Sequence, residues 1–289
     1  MRDFVILTDS CCDLTAEVAA ELNVEVIPLS LLIGEESYRN YLDGREIGFK
    51  EFYDRVREGA MPTTSAISVG IFEDTMRSIL KSGRDILYLA FSAVMSTTYQ
   101  SSVIAAEGLK EEFPDARILT MDSKCASLGQ GMLVYLCAQE KKAGKTLEEV
   151  YAFAQETAPK IAHWVTVDDL NHLKRGGRIS ATTAFFGTML TIKPMIHVDD
   201  EGRLVNVGKA RGRKTAMLTL VDEFEKRVID PSGPVFISHG DCLEDAQFVA
   251  DEINKRTGAK VSLYSYVGPV IGSHTGAGVI ALFFLAKER

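Results

Sequence analysis

Residues 86–102 read ILYLAFSAVMSTTYQSS. The opening run, 86–91, is continuously apolar, as in a strand buried on both faces of a parallel sheet. It gives way at Ser92 to a hydroxyl-rich exit, and 99–112 then takes on helical periodicity. The same order recurs at 4–7 (FVIL), followed by Thr8-Asp9-Ser10 and a helix at 15–22, and at 116–121, followed by Asp122-Ser123 and a helix at 130–142. Between these units, 24–33 reads as one strand with Pro28 near a sheet edge. The stretch 61–68 (MPTTSAIS) reads as polar loop, and 49–57 and 69–81 as helices. Strand and helix alternating in this way build an open, mostly parallel α/β sheet. Ligands of such sheets sit outside the carboxyl ends of the strands, where the hydroxyls of Thr8, Ser10, Ser92, Ser96 and Ser123 fall.

After about residue 160 the rhythm changes. Strand candidates at 193–198 and 203–208 flank Asp199-Asp200-Glu201-Gly202, a hairpin turn. Helices are expected at 209–226 and 243–256, strands at 163–167, 235–238, 261–266 and 279–285, and polar loop at 174–180 and through IGSHTGAG (271–278). The chain is therefore expected to form an N-terminal α/β domain (1–160) and a C-terminal α+β domain (161–289).

Composition narrows the function. The 289 residues carry 32 Lys plus Arg against 40 Asp plus Glu, a net charge of −8. That balance argues against general nucleic-acid binding, which needs a basic footprint. The apolar run at 4–7 is too short for a signal-peptide core. The run VIALFFLA at 279–286 falls far below the roughly 20 residues of a membrane span. The five cysteines include no C-x-x-C pair, so free thiols in a reducing compartment are expected, and with them a cytoplasmic protein.

Several motifs fail their context. Gly144-Lys145-Thr146 ends like a phosphate-binding loop, but Gln139 stands where that loop needs its first glycine. Gly144 ends one helix, and Thr146 with Glu149 makes a capping box for the next. Gly276-x-Gly278 has no room for the helix of a dinucleotide fold. The five histidines show no metal-ligand spacing, so neither metal nor cofactor is expected. No G-x-S-x-G is present.

Three polar loops survive these exclusions: Thr63-Thr64-Ser65, FSAVMSTTYQSS (91–102) and IGSHTGAG (271–278). They offer small hydroxyls and backbone N–H groups to an anion, and the helix after Ser96 adds its positive end. The segments TDSCCDL (8–14), PTTSAIS (62–68), FSAVMSTTYQSS, MDSKCASLGQG (121–131), LNHLKRGGRIS (170–180), IKP (192–194), KARGRKTA (209–216) and GPVIGSHTGAG (268–278) together resemble the DegV family over nearly the whole chain.

The resemblance implies a two-domain α/β protein that binds one long-chain fatty acid between its domains. It also implies a partner, a separate ATP-dependent kinase that phosphorylates the bound carboxylate to an acyl phosphate and brings ATP and metal with it. Carried over by position, the carboxylate ligands would be Thr64 and His274, with Ser92, Ser65, Ser96 and their loop amides nearby. Arg178 and Arg211, with Lys209, would serve phosphate handling or kinase docking. The sequence departs from the family pattern at Ala93, at Thr97 and at Ala66-Ile67.

The chemistry is coherent. A carboxylate that must attack ATP keeps its nucleophilicity better on neutral donors than against a buried arginine, and neutral donors cost less to desolvate. For the acyl chain, Phe185, Phe186, Met189 and Ile192 are the expected lining; flexible Met suits a pocket that adapts to chain length. Two alternatives stay open: a stand-alone acyl hydrolase using Ser92 and His274, and a binding module for another small anionic lipid or metabolite.

Overall fold

The computed structural model describes residues 2–179 and 191–289. The first half contains β1 (Phe4–Asp9), α1 (Ala16–Glu21), β2 (Glu25–Ile27), β3 (Ser30–Ile33), β4 (Glu36–Arg39), α2 (Phe49–Arg57), β5 (Thr63–Ser65) and α3 (Val69–Lys81). It continues with β6 (Asp85–Ala90), α4 (Thr98–Gly108), β7 (Ile118–Asp122), α5 (Leu128–Lys142) and α6 (Leu147–Thr157). The second half contains β8 (Ile161–Thr166), α7 (Asn171–Gly176), β9 (Ile192–Val198), β10 (Leu204–Arg211), α8 (Arg213–Arg227) and β11 (Val235–His239). It closes with α9 (Leu243–Thr257), β12 (Leu263–Tyr266), α10 (Pro269–Thr275) and β13 (Ile280–Leu285).

The fold is α/β. A parallel sheet in the order β2-β1-β6-β7 occupies the first half, and a mixed sheet in the order β10-β9-β8-β13-β11-β12 the second. Every residue of β1 and β6 is buried, as their unbroken apolar runs require. Side chains alternate between the two faces of each sheet, which sorts them into layers. Val5, Leu7, Ile86 and Tyr88 face α3 and α4, in one cluster with Phe72, Met76, Ala105 and Leu109. Phe4, Ile6, Leu87 and Leu89 face α5, in a cluster with Met132, Leu133 and Val134. From the other side, Val165, Phe236, Ala281 and Phe283 of the mixed sheet join that same cluster. The opposite face of the mixed sheet, with Trp164, Ile237, Leu282 and Phe284, packs on α8 and α9. The order of layers is helix, sheet, helix, sheet, helix. The central helix α5 has no polar face over its first two turns: Leu128 through Val134 are all buried, as a helix between two sheets must be.

Three expectations are corrected. The stretch 24–33 is two strands, not one. Pro28 has no N–H to give, and Leu29 leaves the ladder because its N–H donates to Ser10 Oγ (3.0 Å) and its carbonyl accepts from Asn40 N–H. As a result β2 edges the parallel sheet, while β3 pairs with β4 and β5 in a small antiparallel sheet. The expected loop around Thr64 is that third strand, with Thr64 opposite Leu31. Its exposed edge position, with Thr63 and Ser65 open to solvent, leaves it no apolar pattern to read. The expected loop 271–278 is helical as far as Thr275, started by Pro269 at its first turn. Its glycines and serines hide the helical period, and Gly272 packs against Phe52 and Tyr53 where a methyl would overlap both rings. The capping box of Thr146 and Glu149 forms as read from the sequence. Among the described residues no helix is long and apolar enough to cross a membrane.

Candidate functional site

A cavity of about 530 Å³ opens between the parallel sheet and the mixed sheet, within the size range of small-molecule sites. Its wall is mostly apolar. Leu29, Phe91 and Met95 come from the first half, and Val165, Val198, Leu204, Ala281 and Phe283 from the second. Its more exposed polar groups include Thr64, Ser65, Ser96, Arg178 and His274, which form the mouth, while Ser127 and His163 are buried in the wall.

Thr64 and His274, 210 residues apart in sequence, meet there. Thr64 Oγ1 lies 2.8 Å from His274 Nε2. Strand β5 turns Thr64 inward, and the last turn of α10 delivers His274. The helix α7 makes the fit possible. A methyl on Gly176 would overlap His274 Nδ1, and Gly177 takes the left-handed conformation (φ +65°) that caps α7 and turns the chain toward Arg178. These contacts give the paired glycines of KRGGRIS separate jobs. Burial, then the nearby guanidinium groups of Arg178 and Arg175, push the His274 imidazole down to about 4, so it is neutral at pH 7. Its Nδ1 is buried without a protein partner.

Arg178 is exposed at the rim. Its Nε donates to Met95 O (3.3 Å) and Nη1 to Gly176 O (2.5 Å). Ser96 Oγ accepts from Thr98 N–H (3.2 Å), so it starts α4 as well as facing the cavity. Ser92 stands apart from this group. It is fully buried, and its hydroxyl donates to Gly202 O (2.9 Å) at the tip of the β9–β10 hairpin. Lys124 Nζ reaches Asp200 O at the same tip. Ser92 thereby fastens the hairpin whose flanking residues, Val198 and Leu204, wall the cavity. Ile192 is half-buried at the start of β9, opposite Arg211, and is not in the lining. Phe185, Phe186 and Met189 lie outside the described residues. Lys209 and Arg211 are exposed on β10, away from the mouth group.

Sequence reasoning passed over the residues that hold the mouth in register. Asp9, fully buried, accepts from Cys11 N–H (3.0 Å), Tyr88 O–H (2.8 Å), Phe91 N–H (3.0 Å) and Gln130 Nε2 (3.2 Å). It fixes the loop that follows β6. Asp13 accepts from Ser127 Oγ (2.5 Å) and from Gly268 N–H (3.0 Å), the residue before α10. It therefore ties β1, α5 and the helix carrying His274 together. Burial raises the Asp9 carboxyl, and pushes that of Asp13 up to about 8. The signal was present in TDSCCDL, whose two aspartates sit where an apolar strand exits into the core.

The whole chain has known relatives. Residues 3–287 match the family described as "uncharacterised protein, DegV family". A DegV domain-containing protein of Clostridium perfringens is 46% identical over 290 residues, covering 100% of this chain and 99% of the relative. A solved structure described as fatty acid binding of a DegV family protein from Thermus thermophilus is 33% identical, with a TM-score of 0.86, over 99% of this chain and 100% of that one. A stearic-acid-binding protein of Eubacterium ventriosum is 26% identical, with a TM-score of 0.88, over 98% of each chain. With the sheet order, the cavity between the sheets and a match this long, the chain belongs to the DegV family.

Proposed function

We propose that the chain binds a single long-chain fatty acid in the cavity between its sheets, with the carboxylate at Thr64 and His274, and presents it to a separate ATP-dependent kinase as the acceptor of a phosphoryl group. The observation that carries this reading is a largely apolar cavity with a hydroxyl and an imidazole, Thr64 and His274, paired at its mouth. The fatty acids bound by the Thermus and Eubacterium relatives support it.

The energetics agree. For a sixteen-carbon acid, fourteen methylenes at about 0.8 kcal/mol each amount to roughly 11 kcal/mol before ordering costs. At pH 7 the neutral His274 donates or accepts a hydrogen bond without quenching the carboxylate. Ser65 and Ser96 add hydroxyls at the head-group end. Arg178 at the rim, and Lys209 and Arg211 on the outer strand β10, are the cations we assign to the phosphoryl group or the kinase surface. The chain itself needs no cofactor; ATP and metal come with the kinase, in the cytoplasm.

Mass spectrometry of the purified protein, native and then denatured, tests the reading. The expected result is loss of one mass matching a long-chain fatty acid, with weaker retention in Thr64→Ala and His274→Ala. A protein that is empty and takes up no added fatty acid would overturn it, and would favour a smaller anionic ligand.

A further inference from the structure

A second polar spot faces the same cavity. Ser127 lines the wall at the point where the chain leaves β7 and enters α5. Its backbone is at φ +51°, ψ −142°, a conformation that non-glycine residues rarely adopt. Strained positions of this kind persist where surrounding structure over-determines them, and they cluster at functional sites. A serine on a strained turn from strand to helix is the placement that acyl hydrolases use to expose a nucleophile. The sequence shows C-x-S-x-G (125–129) in place of the glycine-flanked motif, and the glycine kept, Gly129, is where a methyl would overlap His163.

The partner of Ser127 is a carboxylate. Ser127 Oγ donates to Asp13 Oδ2 at 2.5 Å and lies 2.8 Å from Ser238 Oγ. His163 also faces the cavity, but both of its nitrogens are engaged: Nε2 accepts from Ala126 N–H and Nδ1 bonds Ile161 O. It is not available as a base, and Asp13 is. The titratable groups facing Asp13 are Asp9 and Cys11 and Cys12 on the same segment, and Tyr53 from α2. None is a cation, and only the hydrogen bonds from Ser127 and Gly268 favour the charged form of Asp13.

We propose that Ser127 is an acyl-accepting nucleophile, with Asp13 as its base, for acyl esters that enter the cavity. Ser127 Oγ bonds the carbonyl carbon while its proton passes to Asp13 Oδ2. The bond from that carbon to the leaving oxygen breaks, and the leaving oxygen takes the proton from Asp13. Water then attacks the acyl–Ser127 ester, giving a proton to Asp13, which returns it to Ser127 Oγ as the carboxylic acid departs. The first turn of α5, where helix N–H groups lack intrahelical acceptors, supplies positive potential to the developing oxyanion. Ser92, by contrast, is held on Gly202 O and shares no contact with His274. The proposal uses the cavity of the carrier reading but needs neither its head-group site nor a kinase.

The test treats the full chain with an ethyl and with a dodecyl fluorophosphonate, followed by intact-mass and peptide mapping. One adduct per chain on Ser127 is expected. With Asp13 ionising at about 8, its rate should rise about tenfold between pH 7 and pH 9. Ser127→Gly, which suits the positive φ, should lose the adduct. Asp13→Asn should slow labelling about a hundredfold; the map and the pH profile of the unsubstituted protein stand even if that variant fails to fold. No adduct with either probe, an adduct elsewhere, or a rate flat with pH overturns the inference. Fatty-acid uptake, measured separately, reports on the carrier reading alone.

Discussion

The mouth of the cavity and its inner wall use opposite devices to the same end. At the mouth a base is pushed down: His274, half-buried beside Arg178 and Arg175, titrates at about 4. Behind the inner wall, under Ser127, an acid is pushed up: burial raises Asp13, with Asp9 as a charged neighbour, to about 8. Both are mostly neutral at pH 7. Desolvation dominates in each case, so burial by itself favours the neutral form of acid and base alike. The difference lies in what each group touches. His274 meets Thr64 through Nε2 and packs Nδ1 on Gly176, whereas both Asp13 oxygens are held by Ser127 and Gly268. The mouth is built to bind, and the inner wall to hold the halves together and, in our proposal, to react.

Removing Asp13 should break that contrast most severely. Asp13→Ala leaves the buried Ser127 hydroxyl and Gly268 N–H without their acceptor, a loss of about 4 kcal/mol. A denaturant midpoint close to that of the unsubstituted chain would show that the tether is dispensable. The pH response sharpens the comparison. Because the folded His274 holds its proton less well than an unfolded histidine, its contribution is intact above pH 6.5 and is lost as pH falls toward 4. A depression from 6.5 to about 4 is worth roughly 3 kcal/mol. Asp13 runs the other way: with its folded value raised, stability is lost as pH rises from about 4 through about 8. From pH 4 to 6.5 the two contributions oppose each other, so His274→Gln should lose stability with rising pH across that window, while Asp13→Asn should gain it there and lack the decline from pH 6.5 to 8. Unchanged profiles in both variants would mean that neither group sets the pH response.

Smaller effects separate binding from scaffold. Thr64→Val keeps shape but removes the mouth hydroxyl; fatty-acid affinity should fall about tenfold, or 1.4 kcal/mol, with stability nearly unchanged. An isothermal titration showing unaltered affinity would remove Thr64 from the head-group site. Ser92→Ala frees the hairpin tip at Gly202, at a stability cost of about 1 kcal/mol. Amide exchange should then quicken at Asp200 and Gly202 while Thr64 and His274 keep their contact. If exchange is unchanged, Ser92 is not the fastener of the hairpin.

The parallel sheet was legible in the sequence because its two central strands are buried on both faces, so the apolar runs within Phe4–Asp9 and Asp85–Ala90 carry the signal without help from partners. The hairpin around Asp199–Gly202 and the Thr146 capping box were legible for the same reason: their chemistry is local. Thr64, Ser65, Ser96, Arg178 and His274 could be picked out by motif, and the cavity gathers all five. What the sequence hid were arrangements made by distant contacts. The split at Pro28 depends on Ser10 and Asn40 taking the backbone groups of Leu29. The helix under His274 is masked by glycines that serve its packing on Phe52 and Tyr53. Whether a serine faces a ligand, a hairpin tip or a buried carboxylate is invisible in one dimension. Ser92 and Ser127 follow neighbouring strands of one sheet, yet one holds Gly202 and the other Asp13. Local propensity and burial are written residue by residue; hydrogen-bond partners exist only once the layers have closed.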